Sequence, residues 1–136
     1  MKVEACLEKL LRNLDPQLQG DVYVFCSLPE ARLLDLIDDC LCVFREREGL
    51  SAILPRTLAE REGLASSGGF RQITLQVYSS LEAVGLTAAV TAELASWGIS
   101  ANVVAALRHD HVFVPEEEAE EALRLLRGIS SRAQYS

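Results

Sequence analysis

The residues nearest to a chemical task lie in the run Ser79-Ser80-Leu81-Glu82-Ala83-Val84-Gly85-Leu86-Thr87-Ala88. If a helix opens near Gly85, the backbone N–H groups of Gly85, Leu86 and Thr87 have no intrahelical acceptor and can hold a carboxylate at the positive end of the helix dipole. Glycine lets a ligand come close to the backbone, and Val84, Leu86 and Ala88 can line an apolar wall. A competing reading opens the helix at Ser79 with Glu82 three positions on, a capping box that uses those donors internally. Ser27 and Glu30 repeat that spacing, which favours a structural role at Ser27. Asn102 is the second polar candidate. It shares a strand face with Ser100, Val104 and Ala106, and needs a partner, either a ligand's ammonium or amide or a neighbouring backbone group. The candidate ligand-binding set is Val84, Gly85, Leu86, Thr87, Ala88 and Asn102.

Other chemistry finds less support. His109 and His111 converge only if their turn stays extended, and no third or fourth metal ligand stands near them, so His109-Asp110-His111 reads as the polar tip of a hairpin. Asp38-Asp39 and Glu116-Glu117-Glu118 read as solvated charges, the latter well placed in a first helical turn. Cys40 and Cys42 sit two apart in an apolar run, on one strand face, and cannot pair with each other without breaking it. With Cys6 and Cys26, also among apolar neighbours, they read as buried free thiols and not as a zinc or redox site. Cys26 has no base nearby in sequence. Walker-type phosphate loops, Gly-x-Ser-x-Gly elbows and zinc signatures are all missing. The expectation is a protein with no catalytic residue, no metal and no cofactor.

The chain that must position these groups has 136 residues, 49% hydrophobic and 24% charged, a balance suited to a globular core and too apolar for disorder. Aromatics are only 6%, so that core is aliphatic. A formal charge of −7 and a pI near 4.8 repel phosphate backbones, and no basic window offsets them, so nucleic acid is not an expected partner. Met1 to Leu14 carries no signal-like apolar run, and nothing approaches the ~20 apolar residues of a membrane span. The expectation is a cytoplasmic protein without membrane contact.

Spacing assigns the elements. Val3, Cys6, Leu7, Leu10, Leu11 and Leu14 keep helical period until Asp15-Pro16 ends it. Asp21 to Leu28 alternates as a strand. A helical stretch from Ala31 to Ile37 precedes a hairpin, Cys40–Phe44 and Leu50–Leu54, around Gly49. Pro55 opens a helix that Gly63 stops. Phe70 to Tyr78 alternates, with Ile73, Leu75 and Val77 on one side and Gln72, Thr74 and Gln76 on a less buried one. A long helix then ends near Trp97 and Gly98, strands follow over Ile99–Leu107 and Val112–Val114, and Pro115 opens a last helix with the face Ala119, Ala122, Leu123 and Leu126. From Ile129 a frayed tail is expected.

The second half repeats the first. Phe25 to Ala31 aligns without a gap on Val77 to Ala83, an offset of 52, and Ala52-Ile53-Leu54-Pro55 on Val112-Phe113-Val114-Pro115, an offset of 60. Each copy reads β-α-β-β-α, which right-handed crossovers lay out as an antiparallel sheet with helices on one face. The fold class is α+β: two ferredoxin-like units, residues 20–66 and 69–129, after an N-terminal helix at residues 1–16.

From Phe70 to Leu126 the second copy resembles an ACT domain. The resemblance rests on Leu81-Glu82-Ala83-Val84-Gly85-Leu86-Thr87-Ala88, the helix end Leu94-Ala95-Ser96-Trp97-Gly98-Ile99-Ser100, and the strand Ala101-Asn102-Val103-Val104. Over most of its length the chain is similar to a small family of stand-alone proteins with paired ACT units, sharing the phrase His109-Asp110-His111-Val112-Phe113-Val114-Pro115. The first copy departs from the pattern: nothing between Leu28 and Asp39 supplies the glycine, and Cys42 stands where Asn102 would. The resemblance implies a regulatory binding module for a small molecule, possibly an amino acid, seated in the second copy. The rival reading is a partner-binding protein whose units only assemble. A helix from Leu86 to Trp97 that is apolar on most sides calls for a homodimer or higher homo-oligomer.

Overall fold

A computed structural model describes residues 3–135. The opening helical pattern yields α1, Leu7–Arg12, shorter than its apolar spacing because Asp15 takes a left-handed φ of 44° and turns the chain away. β1 then begins at once and runs Pro16–Leu28, five residues earlier than its alternation predicts. Proline is tolerated at the first residue of a strand, where its missing N–H removes no interior ladder bond. The chain divides into two compact units, one of Asp21–Phe70 and one of the residues up to Gly20 together with those from Arg71 onward.

In the smaller unit, β1 pairs antiparallel with β3, Gly49–Pro55, from Tyr23 opposite Pro55 to Leu28 opposite Leu50. β3 also pairs with β2, Cys42–Glu46. The expected helix between β1 and β2 is broken into the single turn α2, Leu33–Leu36, flanked by two 3₁₀ turns. Pro55 precedes α3, Arg56–Arg61, and Gly63 ends it at φ 67°. The core gathers Val24, Leu28, Leu36, Leu50, Leu54 and Leu58.

The larger unit orders its own strands β4-β6-β5, with β4 Phe70–Leu75, β5 Asn102–Ala105 and β6 Asp110–Pro115. Its helices are α1, α4 (Leu86–Ser96) and α5 (Ala119–Gln134). Both units thus follow β-α-β-β-α, and the fold is α+β with tandem ferredoxin-like units of the expected kind.

Three local expectations need correction. β4 stops at Leu75, and both its faces are buried: Gln72 and Thr74 on the polar side are buried as well, both hydrogen-bonded to His111 Nδ1 at 3.0 and 3.1 Å. Pairing makes that burial tolerable. The tail from Ile129 is not frayed. Ile129 is buried in the core, Ser130 Oγ donates to the Leu11 carbonyl at 2.9 Å, and Gln134 Nε2 donates to that of Arg12 at 3.0 Å. α5 therefore supplies acceptor-seeking side chains to the open C-terminal carbonyls of α1. Finally, α4 buries Leu86, Val90 and Leu94 alone, at a spacing of four. Val84 at 82% and Trp97 at 60% remain exposed, along with Ala88, Ala92 and Ala95.

Candidate functional site

α4 opens at Leu86, and Gly85 is its N-cap at φ 102° with no side-chain cap. The capping-box reading of Ser79 is therefore not what the chain adopts. Ser79 instead forms a parallel bridge with Glu4: Glu4 N donates to the Tyr78 carbonyl and Ser80 N to the Glu4 carbonyl, each at 2.9 Å. Ala83 N closes a turn on the Ser80 carbonyl at 3.0 Å, and Glu82 N reaches Ser80 Oγ at 3.1 Å. The loop is thus held from behind by the N-terminal segment, and the donors ahead of α4 stay unspent. Among the described residues, the backbone N–H groups of Leu86, Thr87 and Ala88 have no acceptor. The first turn of an 11-residue helix presents them to whatever occupies the space in front.

That space is a crevice of about 70 Å³ lined by Ser79, Ser80, Leu86, Thr87, Ala105 and Asp110. Asp110 opens β6 directly opposite Ala105 on β5. Alternation puts it on the same face as Val112 and Val114, which pack in the core with α4 and α5. That is the helix side of the sheet, and Asp110 as a whole residue is 9% exposed. No donor among the described residues hydrogen-bonds it. Burial raises its pKa above the ordinary value, partly offset by the nearby imidazoles of His111 and His109.

Of the six candidates from the sequence, Leu86 and Thr87 line the crevice and Gly85 makes its turn. Val84 is exposed beside it and Ala88 faces outward. Asn102 is elsewhere. It pairs with Phe113 while Val103 pairs with Val112, so Asn102 and Val104 occupy the sheet face away from α4. It also stands at the opposite end of β5 from Ala105. Asp110, read from sequence as part of a hairpin tip, is the polar residue the structure brings to this place. The sign was available, since Asp110 is in phase with Val112 and Val114. The turn itself lies two residues earlier than expected, closed by Ala106 N on the His109 carbonyl at 3.1 Å.

His109 Nδ1 lies 3.3 Å from the Val77 carbonyl oxygen, and His111 serves Gln72 and Thr74. Burial lowers the His111 pKa. Among the described residues, no group of three or more His, Cys, Asp or Glu could hold a metal. All four cysteines are free; Cys26 is buried, Cys40 and Cys42 half-buried, but Cys6 is exposed, against the expectation of burial. The isolated position of Cys6 before the short α1 explains this: it is the N-cap and lies outside the apolar stripe. Burial raises the Cys26 and Cys40 pKa values, which makes their thiols poor nucleophiles. Among the described residues, no helix is long and apolar enough to cross a membrane.

A family model described as "ACT domain" matches residues 3–71, and a second, also described as "ACT domain", matches residues 69–128. No curated protein matches the chain. Among solved structures it is similar to a Vibrio cholerae protein described as of unknown function and a possible transport protein, with 45% identity, 91% of this chain and 95% of that one covered, and a TM-score of 0.81. An Agrobacterium tumefaciens protein shares 18% identity over 85% of this chain and 87% of its own, with a TM-score of 0.68. The regulatory subunit of aspartate kinase from Thermus thermophilus, in ligand-free form, shares 13% identity over 84% and 95%, with a TM-score of 0.63. The last two show a common fold.

Proposed function

The chain belongs to the ACT-domain family, with two units in tandem, and from that premise we propose that it is a non-catalytic regulatory module that binds a small metabolite carrying a carboxylate, an amino acid in the first place, at the head of α4. ACT domains are in general regulatory, ligand-binding modules that oligomerise. The observation that carries the reading is the uncapped start of α4, where Gly85 turns the chain and Leu86 and Thr87 face a crevice with their N–H groups unspent. Oriented donors at a helix N-terminus need no further ordering to receive an anion. The same reading places the protein in the cytoplasm, away from nucleic acid, to which its charge of −7 is unsuited.

We also propose a homo-oligomer, a homodimer as the simplest form. Val84, Ala88, Ala92, Ala95 and Trp97 leave an apolar strip along α4 that a single chain exposes. That strip equally favours the second reading, an assembly protein with no ligand. A thermal-shift screen against the 20 common amino acids and simple carboxylates separates the two, because a ligand that binds only the native state raises its melting temperature. A rise with at least one amino acid is expected; a flat response from an oligomeric protein would favour the assembly role.

A further inference from the structure

A second cavity shares no residue with the crevice in front of α4. It is an open basin of about 490 Å³ where α1 ends, with Arg12, Asn13, Asp15, Gln17, Arg127 and Ser130 as its polar lining, all within the larger unit. We propose that this basin binds a phosphomonoester of a polyhydroxylated small molecule, held by the guanidinium groups of Arg12 and Arg127. The proposal goes beyond the reading of α4 and does not depend on it.

The docking of α5 on α1 brings the two arginines to one place. Ser130 Oγ donates to the Leu11 carbonyl at 2.9 Å and Gln134 Nε2 to that of Arg12 at 3.0 Å. Arg127 precedes Ser130 by three positions and Gln134 by seven, so helical spacing sets it on the same face of α5, beside the end of α1. The left-handed turn at Asp15 then swings the chain round, and Asn13 to Gln17 close the remaining wall.

Charge makes the pair informative. The chain carries 20 acidic residues against 13 Lys and Arg, and the other two arginines of α5 each hold a carboxylate, Arg124 that of Glu121 and Arg132 that of Glu93. Arg12 and Arg127 pair with no carboxylate among the described residues. Two like charges left in one basin repel, and an oxyanion between them removes that repulsion. A phosphomonoester fits better than a carboxylate: its three oxygens receive N–H forks from both arginines, whereas one bidentate arginine fills a carboxylate. The acceptors in the basin define the rest of the ligand. Asp15 Oδ1 accepts from Gln17 Nε2 at 2.6 Å and keeps acceptor capacity, while Ser130 Oγ has spent its hydrogen on Leu11 and can only accept. Hydroxyl donors answer both groups. The volume lies within the ~300–1,000 Å³ of small-molecule sites, more than a bare phosphate fills.

The test is calorimetric titration of the full chain, at constant ionic strength, with glucose-6-phosphate, inorganic phosphate, glucose and succinate. It is repeated on Arg12→Gln, Arg127→Gln and Arg47→Gln, the last an equal change of charge between β2 and β3, outside the basin. Glucose-6-phosphate is expected to bind saturably, at least roughly tenfold more tightly than phosphate or succinate, the scale of one charge-assisted hydrogen bond. Arg12→Gln and Arg127→Gln are each expected to weaken it by a similar factor, and Arg47→Gln to leave it unchanged. If Arg47→Gln weakens binding as much, the attraction is diffuse and the site is wrong. Succinate matching glucose-6-phosphate would overturn the phosphate class, and inorganic phosphate matching it would overturn the hydroxylated remainder. If nothing binds saturably, the inference falls, while the carboxylate site at α4 is untouched. Should a glutamine variant lose its native circular dichroism, Arg12→Lys or Arg127→Lys replaces it, keeping the charge and losing the fork; affinity equal to the parent's would then overturn the bidentate contact.

Discussion

Ala105 and Asp110 stand directly opposite each other across the β5–β6 hairpin, and both line the crevice in front of α4. The small side chain of Ala105 leaves room that Asp110 does not fill. Partial burial of the Asp110 carboxyl carries a cost for its charged form.

That cost has a sign that can be measured. Burial raises the Asp110 pKa in the native state, so the native protein favours the neutral acid. The contribution is favourable at low pH and is lost as pH rises through the native pKa. Ligand-free Asp110→Asn should therefore melt at least as high as the unaltered protein at pH 7, with the advantage shrinking toward pH 3. Calorimetry across that range checks it; a variant clearly less stable at pH 7 than at pH 3, relative to the parent, would contradict a raised native pKa at Asp110.

Gly85 and Gly20 differ in what a methyl group would meet. Gly85 sits at φ 102°, and an added Cβ would come 3.0 Å from Leu7 Cδ2, whereas Gly20 has nothing within 4 Å. Gly85→Ala is expected to cost about 1–3 kcal/mol from backbone strain. Gly20→Ala, in a strand, should be neutral or stabilise by a few tenths up to ~1 kcal/mol. Urea unfolding of both variants gives the comparison, and equal stabilities would rule out the left-handed turn at Gly85.

Ile129 lies at the point where a frayed tail would begin, yet it is 7% exposed and packs in the larger core. Ile129→Ala should destabilise by about 2–5 kcal/mol. A loss below ~0.5 kcal/mol would mean that the last turns of α5 are not docked on α1.

Ala92 faces outward between Ala88 and Ala95 on α4. If this strip joins two copies, light scattering at tens of micromolar should give twice the 14.9 kDa chain mass, and Ala92→Glu should return it to the monomer without lowering helix content. A monomeric parent protein would sink the oligomer reading.

What could be read directly from the residues is local. Alternation at Val22, Val24 and Cys26, prolines at positions 55 and 115, and glycines at 63, 85 and 98 announced strands, helix starts and helix ends, because those effects act within a few residues of backbone. The β-α-β-β-α order followed from them. The polar constellation did not, since it depends on which side chains meet from distant segments. Gln72 and Thr74 find His111, 39 and 37 residues on. Asn102 and Asp110 carry equally polar labels in sequence, yet pairing through Val103 and Val112 sends one to the outer sheet face and the other to the head of α4. The reach of α5 was equally hidden, because Ile129 and Ser130 are ordered by α1 more than a hundred residues away, through burial and a hydrogen bond that no local pattern contains.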